Sequence, residues 1–169
     1  MMQKLWILVI GLMMGSFLVQ AGSLDSDFSK KSAQKEWELR IGKGYGTEPG
    51  QHQDSEGYIS VKPLTPAKHH YLSYDAEMKL KEGIRYHLRF EARIGGGSYR
   101  VKISDSTSRD DRVIHFRSKK LEASTEFQVH EFEFMAKRDS PKKSELSFVF
   151  GVAEKSFDLK SVTLEEIEP

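Results

Sequence analysis

The sequence predicts an all-β fold, a sandwich or barrel of about nine short strands. Three observations predict it. Apolar and polar residues alternate with period two through most of the chain, turn signals recur about every ten residues, and no segment keeps a helical period over three turns. The alternation is clearest where Tyr86, Leu88, Phe90 and Ala92 interleave with Arg85, His87, Arg89, Glu91 and Arg93. Successive side chains on a strand point to opposite faces, so one face of this segment packs a core and the other is wet.

Each element follows in order. Trp37, Leu39 and Ile41 share a face of the first clear strand, and the polar lead-in before it has room for one short helical turn. Gly42 to Gly57 is Gly-rich and polar and reads as a long loop or a ragged hairpin. Gly57 to Leu64 is a strand, and His70 to Leu80 leads into a turn at Gly83. After the strand Arg85 to Arg93, Gly95 to Gly97 reads as a turn. Tyr99, Val101 and Ile103 then alternate with Arg100, Lys102 and Ser104. Arg112 to Ser118, Glu126 to Ala136, Ser144 to Val152 and Phe157 to Ile167 complete the set. Phe127 and Val129 share one parity while Phe132 and Phe134 share the other, so a bulge is expected near His130 or Glu131.

Residues 1–21 read as a secretory signal. Lys4 precedes an uninterrupted apolar run from Leu5 to Val19, and Val19 and Ala21 suit a signal peptidase. Residues 22–169 then form one domain, exported by a bacterial-type route to the periplasm or medium, with no membrane span once the signal is removed. The chain has no Cys, so packing holds it, with or without a metal ion. Lys4 is the only charged residue of the signal, leaving 25 basic and 25 acidic residues, interspersed. That balance excludes a general electrostatic field for nucleic acid or an anionic membrane.

Several segments together resemble the carbohydrate-binding modules of families four, nine and twenty-two, which are galactose-binding-like jelly rolls. Asp25 to Phe28 with Trp37 following, Met78 to Arg93, Ser124 to Phe134, Ser144 to Gly151 and Phe157 to Ile167 are similar to the family's strands in order and spacing. Phe127 stands where the family usually has Trp, and His130 where it often has Tyr. His70 and Ser73 stand where Trp and Gln often face the ligand. The resemblance implies a two-sheet jelly roll that binds a polysaccharide or oligosaccharide on a concave sheet face or at a loop edge. It also implies a structural calcium ion, but Lys160 occupies the position of an Asp that commonly helps to hold it, and an ammonium is no calcium ligand. No other cofactor is expected.

A sugar presents flat C–H patches and a rim of hydroxyls, so it needs an aromatic platform and converging planar donors and acceptors. Tyr58, Tyr71 and Tyr74 are the candidate platforms, with Tyr45 in the long loop; His70 stands beside Tyr71. Tyr71 and Tyr74 have opposite parity, so a straight strand presents only one of them. His87, Arg89 and Glu91 form the candidate polar floor, which Arg100 and Lys102 extend, and His115 and Arg117 share a parity on the following strand. The same outward row also reads as a solvated face with cross-strand ion pairs, and each Tyr as a partly buried residue with a satisfied hydroxyl. Trp37 reads as core, and the chain has no Asn. His69 and His70 point to opposite faces and cannot chelate together.

Three functions remain open. The first is a secreted, non-catalytic carbohydrate-binding module. The second is the same fold without a sugar site, acting on an envelope or extracellular protein or beside a secreted glycanase. The third is a glycoside-active protein using two carboxylates, for which Glu131 and Glu133 are the pair to weigh. The sequence contains no nucleophile elbow, P-loop or zinc signature.

Overall fold

The computed structural model describes residues 24–41, 51–55, 57–62, 70–74, 77–105, 110–150 and 156–167. The expected signal, Tyr45 and His69 lie outside the described residues. Ten strands and one helical turn are described: β1 (Leu24–Asp27), α1 (Lys31–Gln34), β2 (Trp37–Ile41), β3 (Gln51–Ser55), β4 (Tyr58–Lys62), β5 (His70–Tyr74), β6 (Arg85–Asp105), β7 (Ile114–Arg117), β8 (Leu121–Met135), β9 (Ser144–Phe150) and β10 (Phe157–Ile167). All pairings are antiparallel. Two strands, β1 and β3, lie outside the nine expected, and two expected strands are joined in β6. Strand β3 turns part of the Gly-rich stretch into a hairpin with β4, closed at Gly57, whose φ of 85° is a left-handed conformation that glycine adopts without strain.

Alternation sets the core. Tyr86, Leu88, Phe90, Ala92 and Ile94 of β6 are all buried, as are Phe157, Leu159, Val162 and Leu164 of β10. The step from Leu159 to Val162 spans three residues because the β6–β10 register shifts at Lys160. That bulge turns Lys160 outward and returns Val162 to the core.

The strands form one hydrogen-bonded sheet folded into two facing layers. In the front layer, β8, the first half of β6 and β10 lie side by side. Strands β1 and β4 share the far side of β10, and β3 lies beyond β4. In the back layer the order is β7, the second half of β6, β9, β5 and β2. Aromatic rings join the layers. Phe148 of β9 meets Phe90 of β6 at 5.0 Å and Phe157 of β10 at 5.4 Å between ring centroids. Trp37 joins this cluster against Phe28, Tyr74 and Phe148, and its indole N–H donates to Ser26 Oγ at 3.2 Å.

Two expectations are corrected here. Gly95 to Gly97 does not end a strand: β6 runs through it for 21 residues and passes from the front layer to the back. Its pairing with β8 shifts between Ile94 and Ser98, and Gly97 takes a φ of 76°. The glycines let one strand change layers, so the outward positions change surface as well. In β8, the register runs unbroken from Met135 to Gln128, so no bulge lies at His130 or Glu131. The slip falls between Gln128 and Ser124, and the parity conflict has a simpler cause. Phe132 and Phe134 face inward, while Val129 lies on the outer face, 49% exposed.

Candidate functional site

The sequence-predicted site residues fall on two opposite surfaces and in the interior. On the front layer's outer face stand Tyr58, His87, Arg89 and Glu91. Here the charged row closes on itself. Arg85 pairs with Glu133, Arg89 Nε donates to Glu131 Oε1 at 3.2 Å, and Lys160 Nζ donates to Glu91 Oε1 at 2.9 Å. These are cross-strand ion pairs, each worth about 0.2–1 kcal/mol.

Tyr58 stands at the far end of that face beside Phe127, ring centroids 5.4 Å apart. The Arg93 guanidinium lies 4.4 Å from the Phe127 centroid and 5.2 Å from that of Tyr58. Arg93 Nε donates to Asp158 Oδ2 at 2.7 Å, and Ser60 Oγ donates to Asp158 Oδ1 at 2.6 Å. Arg93 therefore cannot leave the rings without abandoning a nearly buried carboxylate, so they are not an open platform. Lys160 lies at the position from which the resemblance draws a calcium ligand, and it is bonded to Glu91. Among the described residues no three His, Asp or Glu side chains converge.

Three candidates are interior, and the structure corrects them. His70 and Tyr74 share the inward parity of β5 with Leu72. His70 stacks on Phe150, and Tyr74 packs on Trp37. Burial, with Glu36 nearby, pushes the Tyr74 phenol up to about 12. His115 is the residue left over where β7 slips against β6: Phe116 faces Ile103, but Ile114 faces Ser104. The slip turns His115 inward, against Asp105 of β6 at 2.7 Å. Its Nδ1 accepts the Lys137 backbone N–H at 3.2 Å, so the proton sits on Nε2 and is donated to Asp105. Arg138 Nε donates to the same carboxylate at 2.7 Å.

Tyr71 and Arg117 stand on the back layer's outer face, where Arg100 and Lys102 also lie. Arg100 and Lys102 do not extend the row of His87, Arg89 and Glu91, because β6 has changed layers between them. Across this face runs the row Glu38, Ser73, Ser147, Lys102, Arg117, on β2, β5, β9, β6 and β7. Beside it Tyr71, Val149 and Arg100 form a second row.

Ser73 and Ser147 point away from the core and are nevertheless fully buried. They are short, and longer neighbours stand over them. Lys102 leans across, placing Nζ 5.6 Å from the Tyr71 ring centroid. Glu145 Oε1 accepts from Ser147 Oγ at 2.6 Å and from Ser73 Oγ at 3.3 Å. Burial lowers the Lys102 pKa below that of an ordinary lysine; Arg112 and Arg117 push it the same way, and Glu145 opposes them. The face thus offers one aromatic ring above a sunken floor of hydroxyls and a carboxylate, rimmed by cations.

Sequence reasoning missed Glu145 and Ser147 as site residues and noted Ser73 only as standing at a ligand-facing position of the resemblance. The signal was their shared parity within each strand, but it becomes legible only once β5, β9 and β6 are known to be neighbours.

No protein-family model matches the chain, and no curated protein matches it. Solved structures do match. The second N-terminal cellulose-binding domain of Cellulomonas fimi β-1,4-glucanase C aligns with a TM-score of 0.63 at 18% identity, over 89% of this chain and 97% of that one. The N-terminal cellulose-binding domain of the same enzyme gives 0.57 at 14% identity, over 80% and 91%. The CBM22-1 xylan-binding domain of Paenibacillus barcinonensis Xyn10C gives 0.57 at 11% identity, over 89% and 98%. Across most of its length the chain has the β-sandwich fold of the family 4 and family 22 carbohydrate-binding modules.

Proposed function

We propose that the chain is an exported, non-catalytic carbohydrate-binding module whose ligand lies on the back layer's outer face. The observation that carries this reading is Tyr71 beside the sunken Ser73, Ser147 and Glu145. The ring supplies a surface for pyranose C–H groups, and Glu145, held by the buried Ser73 and Ser147, supplies with the cations of the rim partners for sugar hydroxyls. The fold shared with cellulose- and xylan-binding domains supports the same ligand class.

Glu131 and Glu133 are each bonded to an arginine on the opposite layer's open face, which favours a structural role for them over a catalytic one. Export rests on Lys4 and the apolar run that follows it.

Affinity electrophoresis through gels containing β-glucan, xylan or mannan tests the proposal. At least one polysaccharide retards the wild-type chain, and Tyr71→Ala abolishes the retardation without changing the far-ultraviolet circular dichroism. Free migration of the wild type in every gel, or unchanged retardation of Tyr71→Ala, contradicts it. Release of reducing sugar from any of these substrates contradicts the non-catalytic assignment.

A further inference from the structure

We infer that the ligand of the back-layer face is an acidic glycan, one whose pyranose rings carry carboxylates. This inference rests on the glycan-binding reading and narrows it. The two outer faces differ in how their cations are satisfied. On the front layer Arg85, Arg89, Arg93 and Lys160 are each bonded to a carboxylate. On the back layer, among the described residues, Arg100, Lys102 and Arg117 have no carboxylate bonded to them, and neither has Arg112 in the loop before β7. Among the described residues the acids of this face are Glu38 and Glu145, with Asp110 and Asp111 preceding Arg112. Glu145 is engaged by two serine hydroxyls.

Lys102 is the decisive residue. It is half-buried, laid across Ser147 toward the Tyr71 ring, with Arg117 directly opposite on β7. Burying an ammonium without a bonded anion costs free energy; the nearby Glu145 carboxylate offsets part of that cost, and two guanidinium groups add to it. A ligand carboxylate reaching Lys102 removes that cost and forms a charge-assisted hydrogen bond. Arg100 lies two residues along the same strand, about 7 Å away, and Arg117 one strand across, about 5 Å away. Three cations grouped on neighbouring strands meet a polymer bearing carboxylates on its rings, while Tyr71 takes the face of a ring. A neutral glucan or xylan leaves these cations as they are.

The test compares charged and neutral partners of similar backbone: carboxymethylcellulose with hydroxyethylcellulose, glucuronoxylan with arabinoxylan, and polygalacturonate with galactan. Affinity is measured by isothermal titration at about 50 mM and 300 mM salt, across which screening of exposed charge steepens. The expected result is about tenfold tighter binding of one or more carboxylated members at low salt. The preference shrinks at high salt and is lost in Lys102→Gln. Arg100→Gln and Arg117→Gln, at exposed positions that do not threaten folding, each weaken it. Arg89→Gln on the front layer leaves it unchanged.

Equal binding of charged and neutral members overturns the inference and leaves the glycan-binding reading standing. Binding of no polysaccharide overturns both. Equal binding of polyacrylate, an anionic chain without sugar rings, overturns the inference by making the face a general anion binder.

Discussion

Phe90 and Phe148 meet edge to face with ring centroids 5.0 Å apart, one from each layer, and both are fully buried. The contact joins the layers where β6 and β9 face one another. Truncating a buried Phe removes its transfer free energy and leaves a cavity, at a cost of about 3–5 kcal/mol. Phe148→Ala therefore lowers the urea midpoint by that equivalent or prevents folding, and Phe148→Leu loses clearly less. A loss below about 1 kcal/mol for the alanine variant contradicts the packing described.

Gly97 carries the change of layer in β6 with a φ of 76°, and a Cβ there meets open space. The cost of a side chain is therefore conformational and not steric crowding. Gly97→Ala destabilises by about 1–2 kcal/mol. Gly96→Ala, equally uncrowded and without a left-handed backbone, changes stability by well under half of that. Thermal unfolding of the two variants side by side checks the difference.

Asp105 is fully buried between His115 and Arg138 and ties the end of β6 to β7 and to the segment after β8. Removing the carboxylate strands buried donors and leaves a cation without its partner. Asp105→Ala costs about 3–5 kcal/mol by equilibrium denaturation. Arg138, partly exposed, costs less when replaced by Met because water reaches it.

His130 packs against Phe90, Tyr99 and Phe132, and burial holds its pKa below the ordinary 6.5. Below about pH 6.5 the unfolded chain takes up this proton before the folded chain does, so stability falls as pH falls. The contribution is complete above the unfolded value and is lost on the way down to the folded one. Urea unfolding at about pH 7.5 and 5.5 shows a smaller loss for His130→Phe than for the wild type. An equal loss contradicts the assignment to His130.

How far the sequence is legible follows from these same residues. The inward faces of β6 and β10 read directly, because burial imposes strict alternation on Tyr86 to Ile94 and the β10 bulge disturbs it at only one point. Trp37 is core as its parity implied. The outward faces are harder, since parity states that a side chain leaves the core without stating which surface it reaches. Arg89 and Lys102 lie on one strand and on opposite sides of the molecule, and only the pairing partners of each half of β6 reveal it. His115 defeated parity through a bulge, and Val129 through an apolar side chain left on the surface. Ser73 and Ser147 were invisible as a pair because they meet across strands separated by three other strands in the chain.

The assignment of the ligand to the back layer is tested most directly by two-dimensional NMR of the labelled chain titrated with the oligosaccharide of the polysaccharide it binds. The account predicts amide shifts centred on Tyr71, Ser73, Arg100, Lys102 and Ser147, with Arg89, Phe127 and Glu131 unmoved. Shifts centred on Tyr58, Phe127 and Arg93 instead, or no shifts with any glycan, contradict it.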